Sequence, residues 1–232
     1  MIIELNGLSG CGKTTLKNVA CSKHTVVRSV GVAEFRGEGR PFFYKLVLKL
    51  RRFIGQFTPA NIGLYKDVRK MVRTANQREG AQFSNSYENA VTVMYTVYLF
   101  STYRGSEDTT LIVDEGIVQS ITSCCVQMEI NRSDLEAVLQ RFQRILEKIV
   151  VVNCDCTLEA SFRRIQARNR NDSAMDQLTV GELQILLKRY QEQLTFIRSM
   201  IGNTCKQMVS LNVEDYDPKT VYVLEKKIGE FI

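Results

Sequence analysis

The residues most able to do chemistry in this chain are clustered near its start. The stretch from Gly7 to Thr14 fits the spacing G-x-x-x-x-G-K-[ST] of the phosphate-binding P-loop, or Walker A motif. Its glycines let backbone N–H groups turn toward a phosphate chain. Its lysine places a positive charge beside the terminal phosphates, and its threonine hydroxyl binds Mg²⁺. The motif predicts an ATP site whose cofactor-binding residues are Gly7, Ser9, Gly10, Cys11, Gly12, Lys13, Thr14 and Thr15.

An acidic pair follows a short apolar run about one hundred residues later. Thr110-Leu-Ile-Val reads as a buried parallel strand, and it is followed by Asp114 and Glu115. In P-loop folds, an acid at the carboxyl end of a neighbouring strand holds Mg²⁺. Thr14 and Asp114 are therefore the predicted metal ligands. Glu115 is a candidate base for an attacking hydroxyl or water, with a solvent-exposed glutamate of no catalytic role as the alternative.

An arginine-rich stretch, RRIQARNR over residues 163–170, is the third candidate. Arg164 and Arg168 are four residues apart and share a helix face, where their charges repel unless an anion lies between them. Triphosphate oxygens would serve as that anion. We therefore expect Arg164 and Arg168 to act on the transferred phosphate and Arg170 to contact the nucleotide. A solvated basic helix face is the alternative.

The elements that position these groups alternate between strands and helices, which predicts an α/β fold with a parallel sheet covered on both faces. Capping boxes at Ser133-x-x-Glu136 and Thr179-x-x-Glu182 each predict the start of a helix. Asp217-Pro218 predicts the start of a terminal helix. The predicted strands cover residues 2–5, 25–30, 110–114, 149–152 and 207–213, and further helices cover 13–22, 42–57, 62–78, 87–103, 117–128 and 156–168.

Composition limits the class of protein. The 232 residues are 44% hydrophobic and 24% charged, which suits one globular domain over residues 1–232. No apolar run approaches the roughly 20 residues of a membrane span, and the chain enters a strand directly, so we expect no signal peptide. An odd number of cysteines, one of them in the P-loop, predicts free thiols in the cytoplasm. A single histidine, His24, disfavours a zinc site at Cys154-x-Cys156 and a histidine-dependent hydrolase.

The motifs GLSGCGKT, LIVDEG and RRIQARNR, in this order, resemble those of the nucleoside and nucleotide kinases, notably thymidylate kinases and deoxynucleoside kinases. The resemblance implies a three-layer P-loop fold whose five-stranded parallel sheet has the order 2-3-1-4-5. It also implies phosphoryl transfer from ATP, with Mg²⁺, to a nucleoside-like or nucleotide-like acceptor. By the same resemblance, a helical segment over about 42–104 lies on the acceptor side and a lid covers about 157–175.

Two looser matches concern the acceptor. AEFRGEG follows the second predicted strand, where these families keep a Glu or Arg for the acceptor, so Glu34 and Arg36 are implied substrate-binding residues. LFSTYRG ends in Arg104, which resembles the thymidylate-kinase arginine that meets the acceptor's phosphate. Thymidylate kinases place Arg directly after the strand acid, whereas this chain has Glu115. A negative group facing a monophosphate is unfavourable, which favours a neutral or hydroxyl-bearing acceptor, or water.

Two functions from other classes remain open beside the kinase. One is an NTPase that couples hydrolysis to a partner, with Glu115 activating water. The other is a nucleotide-sensing module without fast turnover. A kinase releases ADP only with its acceptor, an NTPase releases phosphate with its partner, and a sensor does neither.

The basic segment over residues 36–78 carries eleven Lys or Arg against Glu38 and Asp67, a net charge of +9 in a chain of +6. It is either a solvated cover, a binding surface for an anionic acceptor, or a peripheral membrane contact through residues 42–57. Nucleic acid is disfavoured because no reading motif accompanies the charge. A homodimer is left open.

Overall fold

The protein is described by a computed structural model. The described residues are 1–23, 27–30, 41–43, 46, 59–77, 110–168, 174–214, 222, 223 and 226. Most of the helix expected over 42–57, the helix expected over 87–103 and most of the terminal helix lie outside these ranges. So do four residues with predicted site roles, namely Glu34, Arg36, Arg104 and Arg170.

Within the described residues, five parallel strands form the central sheet. They are β1 (Ile2–Gly7), β2 (Val27–Val30), β4 (Thr110–Val113), β6 (Ile149–Asp155) and β7 (Gln207–Asn212), and they lie in the order β2-β4-β1-β6-β7. Two further strands of two residues each, β3 (Asn76–Gln77) and β5 (Met128–Glu129), pair antiparallel in a separate small sheet. Because β1 pairs with β4 on one side and β6 on the other, the loop after β1 emerges at the middle of the sheet's carboxyl edge.

Helices cover the sheet, as expected for parallel strands buried on both faces. They are α1 (Lys13–Lys23), α2 (Pro59–Thr74), α3 (Ile117–Gln127), α4 (Arg132–Leu146), α5 (Leu158–Ala167) and α6 (Val180–Ile201), and a short 3₁₀ helix covers Ala174–Gln177. Successive side chains of β1 point to opposite faces. Ile2 packs in a core cluster with α2, α3 and α4, whereas Ile3 and Leu5 pack in a second cluster with α1 and α6. The α/β class predicted from the sequence is confirmed.

The two predicted capping boxes had different outcomes. Thr179 caps α6 as expected, because its side chain accepts from the Glu182 N–H and the Glu182 carboxylate accepts from the Thr179 N–H at 2.8 Å. The box at Ser133 is wrong. Helix α4 begins at Arg132, so its N-cap is Asn131, two residues before Ser133, and no side chain caps it. The Glu136 carboxylate pairs with the Arg132 side chain one turn away, at 2.8 Å.

Some helix boundaries differ from the predicted ones, because proline and capping residues, and not the hydrophobic pattern, determine where these helices begin. Pro59, read from the sequence as a helix breaker, is the first residue of α2, where its missing N–H has no helical partner to lose. Helix α5 begins at Leu158 because Thr157 caps it, accepting from the Ala160 N–H at 3.1 Å. Among the described residues, no helix is long and apolar enough to cross a membrane.

Candidate functional site

The glycine-rich loop between β1 and α1 has a backbone that only glycine adopts easily. Gly10 and Gly12 have φ angles of +81° and +99°, in the left-handed region. The loop is also packed tightly. A Cβ on Gly7 would lie 2.5 Å from the Cys154 carbonyl oxygen, and one on Gly10 would lie 2.8 Å from the Ser161 carbonyl oxygen. Side chains at these positions would therefore push the loop off β6 and α5.

Lys13 is folded into this loop. Its ammonium donates to the carbonyl oxygens of Gly7 and Leu8, at 2.8 Å each, and lies 3.7 Å from the Cys11 sulfur. Burial lowers the pKa of Lys13, but negative charge nearby, first that of Cys11, outweighs burial and raises this pKa on balance. Lys13 is therefore charged at neutral pH and sits where an anion held by the loop would meet it.

Cys11 is the residue of the loop whose side chain is buried toward the sheet. Its side chain is fully buried beside β6, next to the side chains of Cys154 and Cys156. Interaction with these two side chains holds the pKa of Cys11 well below its usual value. Cys11 thus faces the sheet, and any contact it makes with a phosphate comes from its backbone.

The loop meets the acid after β4 at one place. The Thr14 hydroxyl donates to Asp114 Oδ2 at 3.1 Å, which joins the two predicted metal ligands directly. The same oxygen accepts from the Lys17 ammonium at 2.8 Å. A hydroxyl and a carboxylate are the oxygen donors that Mg²⁺ prefers, so these side chains fit that ion in chemistry and position. Lys17 was not singled out from the sequence, because a lysine in an amphipathic helix carries no signal that distinguishes it from a solvated one.

Helix α5 lies against the other side of the loop. The Ser161 hydroxyl donates to the Ser9 carbonyl at 2.5 Å. Arg164 donates to three backbone carbonyls, those of Cys11 at 3.4 Å, Val213 at 2.9 Å and Glu214 at 2.5 Å. Arg164 therefore ties the loop to the end of β7 and does not extend toward solvent. Arg168, at the end of the same helix, is exposed.

The start of α5 is held by a contact that the sequence analysis missed. Glu214, just after β7, accepts from the Thr157 N–H and from the Thr157 hydroxyl, at 2.6 Å each. These two hydrogen bonds hold the pKa of Glu214 below its usual value. A threonine preceding a helical pattern is a recognisable N-cap signal, but nothing in the sequence indicated that residue 214 would meet it.

A buried polar network supports the loop from beneath. Gln119 on α3 accepts from the Gly7 N–H at 3.2 Å and donates to the Tyr190 hydroxyl at 3.2 Å. Tyr190 also contacts the Ser123 hydroxyl. Glu4, fully buried on β1, accepts from the Gln119 N–H at 2.9 Å. Glu4 is an acid inside the apolar run of β1, and this sequence signal could have predicted a buried polar network.

Glu4 lies at the start of α3, against Gly116. Burial raises the pKa of Glu4 to about 7, while the first N–H groups of α3 oppose this by hydrogen bonding. A Cβ on Gly116 would overlap the Glu4 carboxylate, which explains the glycine of the LIVDEG motif. Glu115, between Asp114 and Gly116, is exposed. Because Glu115 directly follows Asp114 at the end of β4, it lies at the carboxyl edge of the sheet.

No protein-family model matches this chain, and no curated protein matches it. Solved structures do. A deoxyadenosine kinase from M. mycoides with the products dCMP and a flexible dCDP bound is 14% identical, with a TM-score of 0.57 over 99% of this chain and 100% of that one. The deoxyadenosine kinase from M. mycoides with bound dATP is also 14% identical, with a TM-score of 0.56 over 99% of each chain. This likeness shows a shared fold.

Proposed function

We propose that this protein transfers a phosphoryl group from ATP to a small nucleoside-like acceptor. One observation carries the proposal. The glycine-rich loop and the acid after β4 meet through the 3.1 Å hydrogen bond between Thr14 and Asp114. A phosphate cradle joined to a metal-binding acid is the arrangement that phosphoryl transfer requires, because its catalysis consists mainly of positioning and charge stabilisation. The shared fold with deoxyadenosine kinases supports the same reaction class.

ATP would lie over the loop from Gly7 to Thr15, and Lys13 would exchange the carbonyls of Gly7 and Leu8 for phosphate oxygens. Thr14 and Asp114 would hold Mg²⁺, which neutralises charge on the phosphates when it is bound. Arg168 and Arg170 would close over the transferred phosphate from the lid over about 157–175. Arg164 would have a different role, since its side chain donates to the Cys11 carbonyl and so holds the loop in place.

We propose a neutral nucleoside as the acceptor. Glu115 is exposed directly after Asp114, where its charge repels a monophosphate but can accept a proton from a hydroxyl. The helical segment over about 42–104, with Glu34, Arg36 and Arg104, would complete the acceptor site. The structural neighbours are named as deoxyadenosine kinases, which agrees with a nucleoside acceptor.

Nucleotide binding is tested by thermal unfolding with and without Mg²⁺-ATP. ATP at about 100 times its dissociation constant adds roughly 2.7 kcal/mol to the apparent stability of the wild type. Lys13→Ala should fold and lose most of the resulting rise in melting temperature. Lys188→Ala, which removes an exposed lysine of α6, is the matched control and should keep the full rise. An undiminished rise in Lys13→Ala would mean that ATP does not bind at this loop.

The acceptor is tested with radiolabelled ATP against deoxynucleosides and thymidine monophosphate. We expect ADP release that depends on a nucleoside, with thymidine monophosphate a poor acceptor because of Glu115. Faster turnover of thymidine monophosphate than of any nucleoside would contradict the proposed acceptor class. ADP release without any acceptor would favour hydrolysis over transfer.

A further inference from the structure

A lysine lies against the acid that is proposed to hold the metal ion. The Lys17 ammonium lies 2.8 Å from Asp114 Oδ2, the oxygen that also accepts from the Thr14 hydroxyl. The side chains of Lys17 and Asp114 are only 11% and 12% exposed, so this is a largely buried ion pair. The ammonium of an exposed lysine would be hydrated, whereas the ammonium of Lys17 is held against the Asp114 carboxylate.

The geometry of α1 explains how this happens. Lys13 and Lys17 are one turn apart on the helix, and Thr14 is three residues before Lys17. The first lysine turns into the loop, to the carbonyls of Gly7 and Leu8. The second lysine and Thr14 turn together toward the end of β4. The helix thus gives the loop and the acid a separate ammonium each.

We propose that Lys17 is a built-in counter-ion of Asp114, which holds this carboxylate ready in the absence of metal and which Mg²⁺ must displace. The inference rests on the proposed function, since that function places Mg²⁺ at Thr14 and Asp114. Two cations at one carboxylate oxygen repel strongly in a site shielded from water. Lys17 therefore weakens metal binding and holds the Asp114 carboxylate in place. It is a positioning residue, and it is not a metal ligand.

This role differs from that of a purely structural ion pair. A structural pair leaves the metal affinity unchanged when the lysine is removed, or lowers it by loosening Asp114. A displaced counter-ion has the opposite effect, because its removal leaves a buried carboxylate without compensation and open to a cation. The sign of the change in metal affinity therefore separates the two roles.

The test measures Mn²⁺ binding to the full chain without nucleotide, from the loss of the free-ion signal in electron paramagnetic resonance. Lys17→Met keeps the chain length and removes the charge, and we expect it to bind Mn²⁺ about tenfold more tightly than the wild type. If Lys17→Met fails to fold, Lys17→Gln keeps a neutral donor and should show the same direction of change. Lys188→Met is the matched control and should bind as the wild type does. Asp114→Asn/Lys17→Met should lose the tight site.

The outcomes are distinct. Tighter Mn²⁺ binding by the folded Lys17 variants, lost in the variant without Asp114, supports the counter-ion. Equal or weaker binding than the wild type overturns it and leaves the proposed metal site standing. Absence of Mn²⁺ binding in both the wild type and the Lys17 variants overturns the inference together with the metal site. The loss of the ATP-induced thermal shift in Lys13→Ala is a separate measurement, so that result still judges nucleotide binding.

Discussion

The glycine-rich loop after β1 is flanked by two regions that use basic side chains in opposite ways. On the metal side, defined by Thr14, Lys17 and Asp114, a lysine pairs with a carboxylate. On the arginine side, defined by Thr157, Arg164 and Glu214, a guanidinium binds backbone carbonyls. Both regions hold the loop, and both lie at the carboxyl edge of the sheet.

The difference lies in what a ligand can replace. A carboxylate oxygen on the metal side can exchange an ammonium for a metal ion, because either cation satisfies its charge. The carbonyls on the arginine side belong to the loop and to the end of β7, so losing Arg164 removes a connection between two parts of the fold. A ligand can thus remodel the metal side, whereas the arginine side is part of the architecture.

The largest expected effect comes from breaking the metal side. Asp114→Asn should reduce Mg²⁺-dependent turnover to background while ATP still binds. It should also lower the free energy of unfolding by about 3 kcal/mol, since it leaves the Lys17 charge largely buried and uncompensated. Turnover and urea denaturation check the two parts. In Asp114→Asn/Lys17→Met the stability should recover to within about 1 kcal/mol and the turnover should not. Wild-type turnover in Asp114→Asn would place the metal acid elsewhere.

Arg164 within α5 and Arg168 at the C-terminal cap of this helix sharpen the comparison as a matched pair. Arg168→Ala should lower turnover by about 10³-fold and leave the melting temperature nearly unchanged, because Arg168 is exposed and proposed to act on the transferred phosphate. Arg164→Ala should lower the free energy of unfolding by about 2 kcal/mol, since backbone carbonyls lose a charged donor. Steady-state kinetics and thermal unfolding of both variants test this. Should Arg168→Ala lose stability and keep its turnover within about fivefold, the end of α5 is a structural cover.

The last expected effect is a pH dependence of stability, and it concerns Glu4, a second buried acid. The pKa of Glu4 is about 7 in the folded protein against an ordinary value of 4.5, so the folded state binds the extra proton between these values. Stability should therefore fall as pH rises from about 4.5 to about 7. Glu4→Gln removes this slope and should be more stable relative to the wild type at pH 8 than at pH 5. Urea denaturation at the two pH values measures it. Equal differences at both would show that Glu4 is ionised throughout.

Local sequence was sufficient to predict conformation where a short motif determines it. The loop from Gly7 to Thr14 was predicted because its glycines, lysine and threonine act within eight adjacent residues. Asp114 was predicted because an apolar run ending in an acid has one expected place at the edge of a parallel sheet. Thr179 was identified as a cap from its partner three residues away, and that prediction is confirmed. The similar pattern at Ser133 failed because the N-cap is Asn131, two residues earlier, which places Ser133 inside the helix.

The contacts that sequence reasoning missed join residues far apart in the chain. Lys17 meets Asp114 across 97 positions, and Gln119 meets Gly7 across 112. Arg164 belongs to an arginine-rich stretch that predicts a lid, yet its side chain donates to the Val213 and Glu214 carbonyls. A single sequence contains no signal for such pairs, because nothing local to either residue depends on the other.

The sequence by itself determined the glycine-rich loop, the acid at the end of β4 and the alternation of strands and helices, since all three follow from spacing and hydrophobic period within short windows. Only the tertiary structure decided how the charges near the loop are shared. The fold brought Lys17 of α1 to Asp114 at the end of β4, and it brought Arg164 of α5 to the backbone carbonyls that follow β7. The physical reason is that an ion pair or a charged hydrogen bond forms wherever burial brings its partners together, regardless of their separation along the chain.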